Sequence, residues 1–564
     1  MESTRGTVAE LVMQGWNDHR TGLWFEGRSL TRHEVAAGAA ARAALFTDLL
    51  EPGDRPHLGV LLHHTPEYPL WLSAAALAGA AVAGSNPTRG GAEWARDLLH
   101  TECRVLVTEQ AFRPLLDGLD LPGVRVLVTD TDDCADLLAG YEGAEPDDSR
   151  ATPADRLLLY FTSGSTGAPK AAICTQGRLA AAGRSLVCHL GLGADDVHYI
   201  CMPMFHGNAV IADWAPALVS GAAIALGRRF SASGFLEDVR ACGATYFTYV
   251  GRAVSYVLAT KERPDDRDNP LRLGFGTEAG VVDAAAFERR FGARLVEGYG
   301  SSEGGAAVQR TAGTPAGAIG RAAPRDDLAV VDPVTREECP PAVITGDGRL
   351  MNGNEAIGEL VNRGPHHFEG YWRNPAADTA RRREGWYWTG DLFYRDADGF
   401  LYFAGRTDDR LRVDSENLAA AMIEGILARY RGALSVAVYA VPDPVAGDQV
   451  MAVMVLDDAG SFDPGVFAAF LAAQPDLGTK MAPRFVRLVE VMPVTATNKI
   501  HRVGLRREGF RCADPVWWRP PGESGYRRLT DEDVAGLVAE YRARGREELL
   551  PPAVVRPAVR DRRP

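Results

Sequence analysis

Residues 157–175 read LLLYFTSGSTGAPKAAICT. Two apolar runs, Leu157 to Phe161 and Ala171 to Cys174, flank a loop of threonine, serine and glycine. Short apolar runs separated by such a loop predict two strands. Gly164 and Gly167 free the backbone to turn its N–H groups toward one point, and Thr162, Ser163, Ser165 and Thr166 add hydroxyl donors there. A loop of this chemistry cradles a polyphosphate, with Lys170 as a compact point charge. It is not the Gly-x4-Gly-Lys-Ser/Thr phosphate loop, because Lys170 follows Pro169 and leads into apolar residues. Read alone, such a loop is more often a polar turn with no ligand, so the flanking sequence has to decide.

On the N-terminal side, Leu30 to Leu50 predicts a helix that opens on a capping box, Thr31 with Glu34 three residues on. His57 to Leu62, Arg104 to Thr108 and Val124 to Thr129 are short apolar strands, and Glu145 to Asp155 is a surface linker. Leu70 to Gly84 is shorter than the ~20 residues of a membrane helix and is expected as a buried core helix. On the C-terminal side follow a helix, Gly177 to Leu190, and an apolar strand from Tyr199 that ends at Phe205-His206-Gly207. Ala222 to Leu226, Phe235 to Cys242 and Ala244 to Val250 continue the alternation. Such alternation predicts an α/β protein with parallel sheets covered by helices. Ligands of open α/β sheets lie at the C-terminal ends of strands, which makes His206, Thr248, Gly251 and Gly276 candidate substrate contacts.

Further on, the polar residues concentrate. Thr277 and Glu278 follow an apolar start. Leu295 to Glu303 (LVEGYGSSE) joins a strand to a glycine turn at Gly300, with Tyr299 able to stack on a purine and Ser302 able to bond a phosphate or carboxylate oxygen. Glu303 is a hard oxygen ligand suited to Mg²⁺ beside substrate phosphates. Asp391 in WTGD can accept both hydroxyls of a ribose, and Arg406 can donate to them or to a phosphate. A smaller domain is expected from Leu411: a helix at Asn417 to Leu427, strands at Ser435 to Val441, Val450 to Leu456 and Arg484 to Val491, and a helix at Phe462 to Ala472. Lys499 sits in a polar loop, and the Pro/Arg-rich tail from Pro551 is expected to be disordered.

The 564 residues allow two or more domains. With 46% hydrophobic and 24% charged residues and a net charge of −13, the chain has the composition of a globular protein and lacks the basic footprint of a nucleic-acid binder. Eight cysteines form no C-x-x-C pair, which predicts free thiols in a reducing compartment. The N-terminus has no apolar signal core, so a cytoplasmic protein with at most peripheral membrane contact is expected. Of 61 basic residues only four are lysine, at 170, 261, 480 and 499. Each survivor is a candidate for a task that needs a small mobile ammonium.

Six strings now stand in order: TSGSTGAPK (162–170), YGSSEG (299–304), GEL (358–360), WTGD (388–391), GRTDD (405–409) and TATNK (495–499). Together, over about residues 20 to 515, they resemble the adenylate-forming superfamily of acyl-CoA synthetases, peptide-synthetase adenylation domains and luciferases. PMFHGNA (203–209) and GRTDDRLRVDSEN (405–417) look most like its fatty-acid transport protein and very-long-chain acyl-CoA synthetase branch. The resemblance implies a large N-terminal domain (1–407) of two α/β subdomains plus a small β-barrel. It implies a small mobile α+β domain (408–515) that pivots near Asp408, with 516–564 as an extension. It also implies ATP, Mg²⁺ and coenzyme A as reaction partners of a small-molecule acid. Lys499 would then bridge the carboxylate and the α-phosphate, and Thr162, Ser163, Gly164, Ser165, Thr166, Gly167 and Lys170 would hold phosphates. Thr277, Glu278, Tyr299, Gly300, Ser302, Asp391 and Arg406 complete the nucleotide set, with Lys499, Thr162 and Glu303 as catalytic residues and Glu303 as the metal ligand.

One position departs from the family pattern. Where relatives usually carry glycine on the path of the coenzyme A arm, this chain has Ser415. Serine there is either tolerated or narrows the tunnel. The second reading keeps adenylation but changes the acceptor, as in relatives from natural-product pathways that activate nitrite to diazotise an aryl amine, or in acyl transfer to an amine.

Overall fold

The computed structural model describes residues 6–87, 91–161, 170–324, 326–346, 348–364, 367–407, 410–413, 416–445, 447–458, 460, 462–494 and 500–552. The chain divides into two compact units. One comprises Met1–Arg310, Ala322–Asp326 and Gly364–Tyr387; the other comprises Thr311–Arg321, Asp327–Arg363 and Trp388–Pro564.

The first unit holds two mixed sheets with helices between and around them. One sheet runs in the order Arg125–Val128, Val105–Thr108, His57–Leu61, Ala81–Gly84, Arg156–Phe161, Ala171–Thr175. All its neighbours are parallel except the last pair. The other runs from Arg28–Thr31 through Thr21–Phe25, Ala223–Leu226, Val197–Ile200, Tyr246–Val250 and Leu273–Thr277 to Arg294–Tyr299 and Val308–Gln309. It is parallel over its whole interior. Interior parallel strands are covered on both faces, which is why their sequences are runs of apolar residues. The helix at Arg32–Leu49 carries the expected capping box of Thr31 and Glu34.

Three expectations need correction. Leu70 to Gly84 is not one helix: a helix at Glu67–Leu77 ends before Gly79, whose φ is +64°, and Ala81–Gly84 is a buried parallel strand. Continuous apolar residues carry no periodicity that separates a buried strand from a buried helix. The strand from Tyr199 stops at Ile200, and residues 201–206 form a loop. In the smaller domain the helix begins at Ala420, because Glu416–Ala419 pairs back on Arg410–Val413 as a hairpin.

Leu328–Val331, Gly358–Asn362, Trp386–Arg395 and Leu401–Arg406 are neighbours in that order, antiparallel at the first and last pairs, and the last three carry the GEL and WTGD strings and Gly405–Arg406. An isolated bridge joins Gly320 to Leu401 and another joins Ala342 to Asp396 at the margin of this sheet. The expected strands at 435–441, 450–456 and 484–491 become Ala433–Pro442, Asp448–Leu456 and Phe485–Leu488. Val516–Trp518 and Arg527–Arg528 extend their sheet. Among the described residues, no helix is long and apolar enough to cross a membrane.

Candidate active site

Three adjacent parallel strands of the larger sheet end together, with Val250 opposite Thr277 and Gly276 opposite Glu297. Their ends gather Gly251, Gly276, Thr277, Glu278, Tyr299 and Gly300 along one sheet edge. Glycine is required at two of these positions. A Cβ on Gly251 would overlap the Glu278 carbonyl, and one on Gly276 would overlap the Tyr249 carbonyl and ring. Both are therefore close-approach positions that let strand and loop meet. Glu278 itself adopts φ of +68°. Thr248 lies one residue earlier on the opposite face, fully buried, and its hydroxyl donates to Asp213 Oδ2 at 3.0 Å. Asp213 also faces His198 Nδ1 at 3.1 Å, and burial raises its pKa. Thr248 thus belongs to an interior polar cluster.

His206 enters from the loop after Val197–Ile200, its N–H donating to the Pro203 carbonyl and its ring lying 4.5 Å from that of Phe205. The next residue packs closely on the turn of the YGSSEG string: a Cβ on Gly207 would come 2.7 Å from Ser302 Oγ. The structure therefore brings His206 and Ser302, 96 positions apart in sequence, onto neighbouring backbone.

Glu303 is held firmly from more than one side. Its side chain is buried, and Tyr371 donates its hydroxyl to Glu303 Oε1 at 2.9 Å. Arg381 Nε lies 3.4 Å from the same hydroxyl. The Tyr371 hydroxyl is held neutral, first by burial and then by the nearby Glu303 charge. From the other side, Arg178 donates to the Ser302 carbonyl and, at 2.6 Å, to the Ile173 carbonyl. Glu369 accepts from both the hydroxyl and the N–H of Thr175. Lys170 lies directly before the strand Ala171–Thr175, and that strand is tied to the Gly370–Trp372 segment through Ile173 N to Gly370 O (3.0 Å) and Trp372 N to Ala171 O (2.8 Å). The strand Ala171–Thr175 and the Glu303 turn thus share one anchoring segment. Among the described residues, no group of three or more His, Cys, Asp or Glu side chains is placed to hold a metal. One carboxylate beside substrate phosphates is the donor set Mg²⁺ accepts, and Glu303 fits it.

In the second unit, Asp391 and Arg406 sit directly opposite each other on paired strands and form an ion pair at 3.5 Å. Gly390, at φ of +73°, donates its N–H to Glu359 Oε1 at 2.7 Å, and Thr389 donates its hydroxyl to the Leu360 carbonyl at 2.8 Å. The GEL, WTGD and GRTDD strings are therefore one local structure. Thr162 to Gly167, Asp408, Ser415 and Lys499 lie outside the described residues.

Three residues were missed by sequence reasoning. Tyr371 and Arg381 are invisible as partners of Glu303 until the chain folds. Glu297 is the third. Its Oε1 is buried without a hydrogen-bond partner, and burial pushes its carboxyl up to about 7.

Residues 12–372 match the model of the AMP-binding enzyme family, and residues 422–499 match that of the AMP-binding enzyme C-terminal domain. The chain belongs to the AMP-binding enzyme family. Its members include a steroid-22-oyl-CoA synthetase of Rhodococcus jostii (strain RHA1), 48% identical over 556 residues that cover 98% of this chain and 100% of the relative. A medium/long-chain-fatty-acid–CoA ligase of Mycobacterium marinum is 45% identical over 512 residues, 91% of this chain and 98% of that one. ATP-bound MatB from Rhodopseudomonas palustris superposes with a TM-score of 0.78 at 22% identity, over 88% of this chain and 98% of that one, a likeness of fold.

Proposed function

We propose that the protein is an ATP-dependent, AMP-forming ligase that activates a carboxylic acid as its acyl-adenylate and transfers the acyl group to coenzyme A. The observation that carries this reading is the end-to-end 48% identity to a relative named as a CoA synthetase. In the first half-reaction a carboxylate oxygen attacks the α-phosphorus and pyrophosphate leaves. In the second, the coenzyme A thiolate attacks the acyl carbonyl and AMP leaves. In-line displacement at phosphorus asks mainly for positioning and charge neutralisation.

The roles proposed for this chain follow. Lys499 neutralises the carboxylate and α-phosphate as they approach. Thr162, Ser163, Gly164, Ser165, Thr166, Gly167 and Lys170 hold the terminal phosphates. Tyr299 packs on the adenine, with Thr277, Glu278, Gly300 and Ser302 around the nucleotide, and Asp391 and Arg406 bind the ribose. Glu303, oriented by Tyr371, holds Mg²⁺, which when bound screens the phosphate charge. His206, Gly251 and Gly276 stand at the acid. Residues 1–407 form the catalytic body and 408–515 a domain that pivots at Asp408, in a cytoplasmic enzyme.

The acid is proposed to be large and apolar, a steroid side-chain acid or a medium- to long-chain fatty acid. The two relatives are named for such acids. Nitrite and an aryl amine find no support in those names. The test is pyrophosphate release with MgATP and a steroid-22-oic acid, decanoate or palmitate, with and without coenzyme A. An acid-dependent release that yields a coenzyme A thioester is expected. Release without a thioester would refute the second half-reaction and turn attention to Ser415.

A further inference from the structure

The loop that carries His206 is gripped by the other sheet at both backbone groups of Met204. Met204 is fully buried. Its N–H donates to His64 Nε2 at 3.1 Å, and its carbonyl accepts from the Tyr160 hydroxyl at 2.8 Å. His64 follows the strand His57–Leu61 and Tyr160 lies on Arg156–Phe161, so both clamps come from the six-stranded sheet, whereas Met204 follows Val197–Ile200 of the larger one. The opposite ring nitrogen of His64, Nδ1, lies 3.0 Å from the Gly227 carbonyl, just past the strand Ala223–Leu226. Accepting at Nε2 and donating at Nδ1 fixes a neutral imidazole in one tautomer. Space is equally tight: a Cβ on Gly84 would come 2.8 Å from the Tyr160 ring and 3.2 Å from Phe205 Cα. Only Phe161 separates Tyr160 from the phosphate loop, and Phe205 alone separates Met204 from His206.

We propose that the Met204 backbone couples nucleotide and acid binding, with His64 and Tyr160 as positioning residues that hold the acid-site turn Phe205–Asn208 in register with the strand that leads into the phosphate loop. Neither side chain reaches substrate. Each acts through the backbone group it grips, and a shift at either end of the clamp displaces the other, because a fully buried residue hydrogen-bonded at both its N–H and its carbonyl cannot move alone. The proposal rests on the ligase reading for what binds at each end.

The experiment is equilibrium binding of the full chain to decanoate or a steroid-22-oic acid, whichever the ligase assay turns over, with and without α,β-methylene-ATP and Mg²⁺. The wild-type protein is expected to bind the acid at least about five-fold tighter when the analogue is present, the lower end of ordinary coupling between sites. Tyr160→Phe removes one hydroxyl and is expected to bring that ratio below about two-fold, with the affinity for each ligand alone changed by less than about two-fold. His64→Gln keeps an acceptor near the Nε2 position and should retain the coupling, and His64→Asn, which keeps only the Nδ1 side, should lose it. If neither histidine variant folds, Tyr160→Phe decides. A wild-type ratio of one, an unchanged ratio in Tyr160→Phe, or equal ratios for the two histidine variants would overturn the proposal while leaving the ligase reading intact. A wild-type protein that binds neither ligand would overturn both.

Discussion

At the scale of single residues the site is built by orientation. Glu303 does not stand alone: Tyr371 fixes one carboxylate oxygen and Arg381 lies behind that hydroxyl. Partners behind a metal ligand commonly matter by about ten- to a hundred-fold in metal affinity. Tyr371→Phe should therefore raise the Mg²⁺ concentration for half-maximal pyrophosphate release by about ten-fold, with the ATP affinity measured without metal little changed. An unaltered Mg²⁺ dependence would remove Tyr371 from this role. Lys499→Ala tests the charge at the reacting atoms. Loss of such a group from a transition state costs about 10²- to 10³-fold or more in turnover, so acid-dependent pyrophosphate release should collapse while ATP still binds. Ser415→Gly should raise coenzyme A-dependent turnover with adenylation unchanged if the serine narrows the path of the thiol; equal rates would show that serine is tolerated.

At the scale of elements, the three strand ends work because two of their residues have no side chain. Gly276 meets the Tyr249 carbonyl and ring where any Cβ would overlap them. Gly276→Ala is expected to destabilise the first unit by about 1–3 kcal/mol through overpacking, read as a lower urea midpoint of its unfolding transition. A midpoint equal to wild type would mean the strands part at little cost. The sequence showed the alternation of these elements clearly, and most strands and helices lie within a few residues of where it puts them. It failed at 81–84 and at 417–419 because pairing is decided by neighbours distant or adjacent in the fold. At 81–84 buried apolar residues look alike in helix and strand, at 417–419 the stretch runs unbroken into a helix, and only the neighbours Arg156–Phe161 and Arg410–Val413 decide that these stretches pair.

For the whole molecule, two titratable groups, one buried and one half-buried, pull stability in opposite directions as pH changes. Burial lowers His64 to about 4, so the folded protein binds fewer protons there than the unfolded chain between that value and about 6.5. Its contribution is present above the unfolded value and is lost as pH falls toward 4. Glu297 is the reverse: raised to about 7 from an ordinary value near 4.5, it favours the fold below 4.5 and withdraws that support as pH rises through 7. Each group changes stability by at most about 1.4 kcal/mol per pH unit, and less for Glu297, which is only partly buried. Thermal midpoints from pH 4 to 8 should therefore fall on the acid side, and His64→Gln should flatten that limb. An acid limb unchanged in the variant would show that His64 does not titrate with unfolding.

The sequence by itself determined the family and the chemistry on offer, because glycine, hydroxyl and charge at fixed spacing in TSGSTGAPK, YGSSEG, WTGD and GRTDD are local properties that the chain carries whether folded or not. The tertiary structure decided which of those groups meet. Thr248 turned inward to Asp213, Glu303 was joined to Tyr371 across 68 positions, and Met204 was caught between His64 and Tyr160. Those are contacts between residues far apart in sequence. They are fixed by strand order and close packing, which no short string encodes.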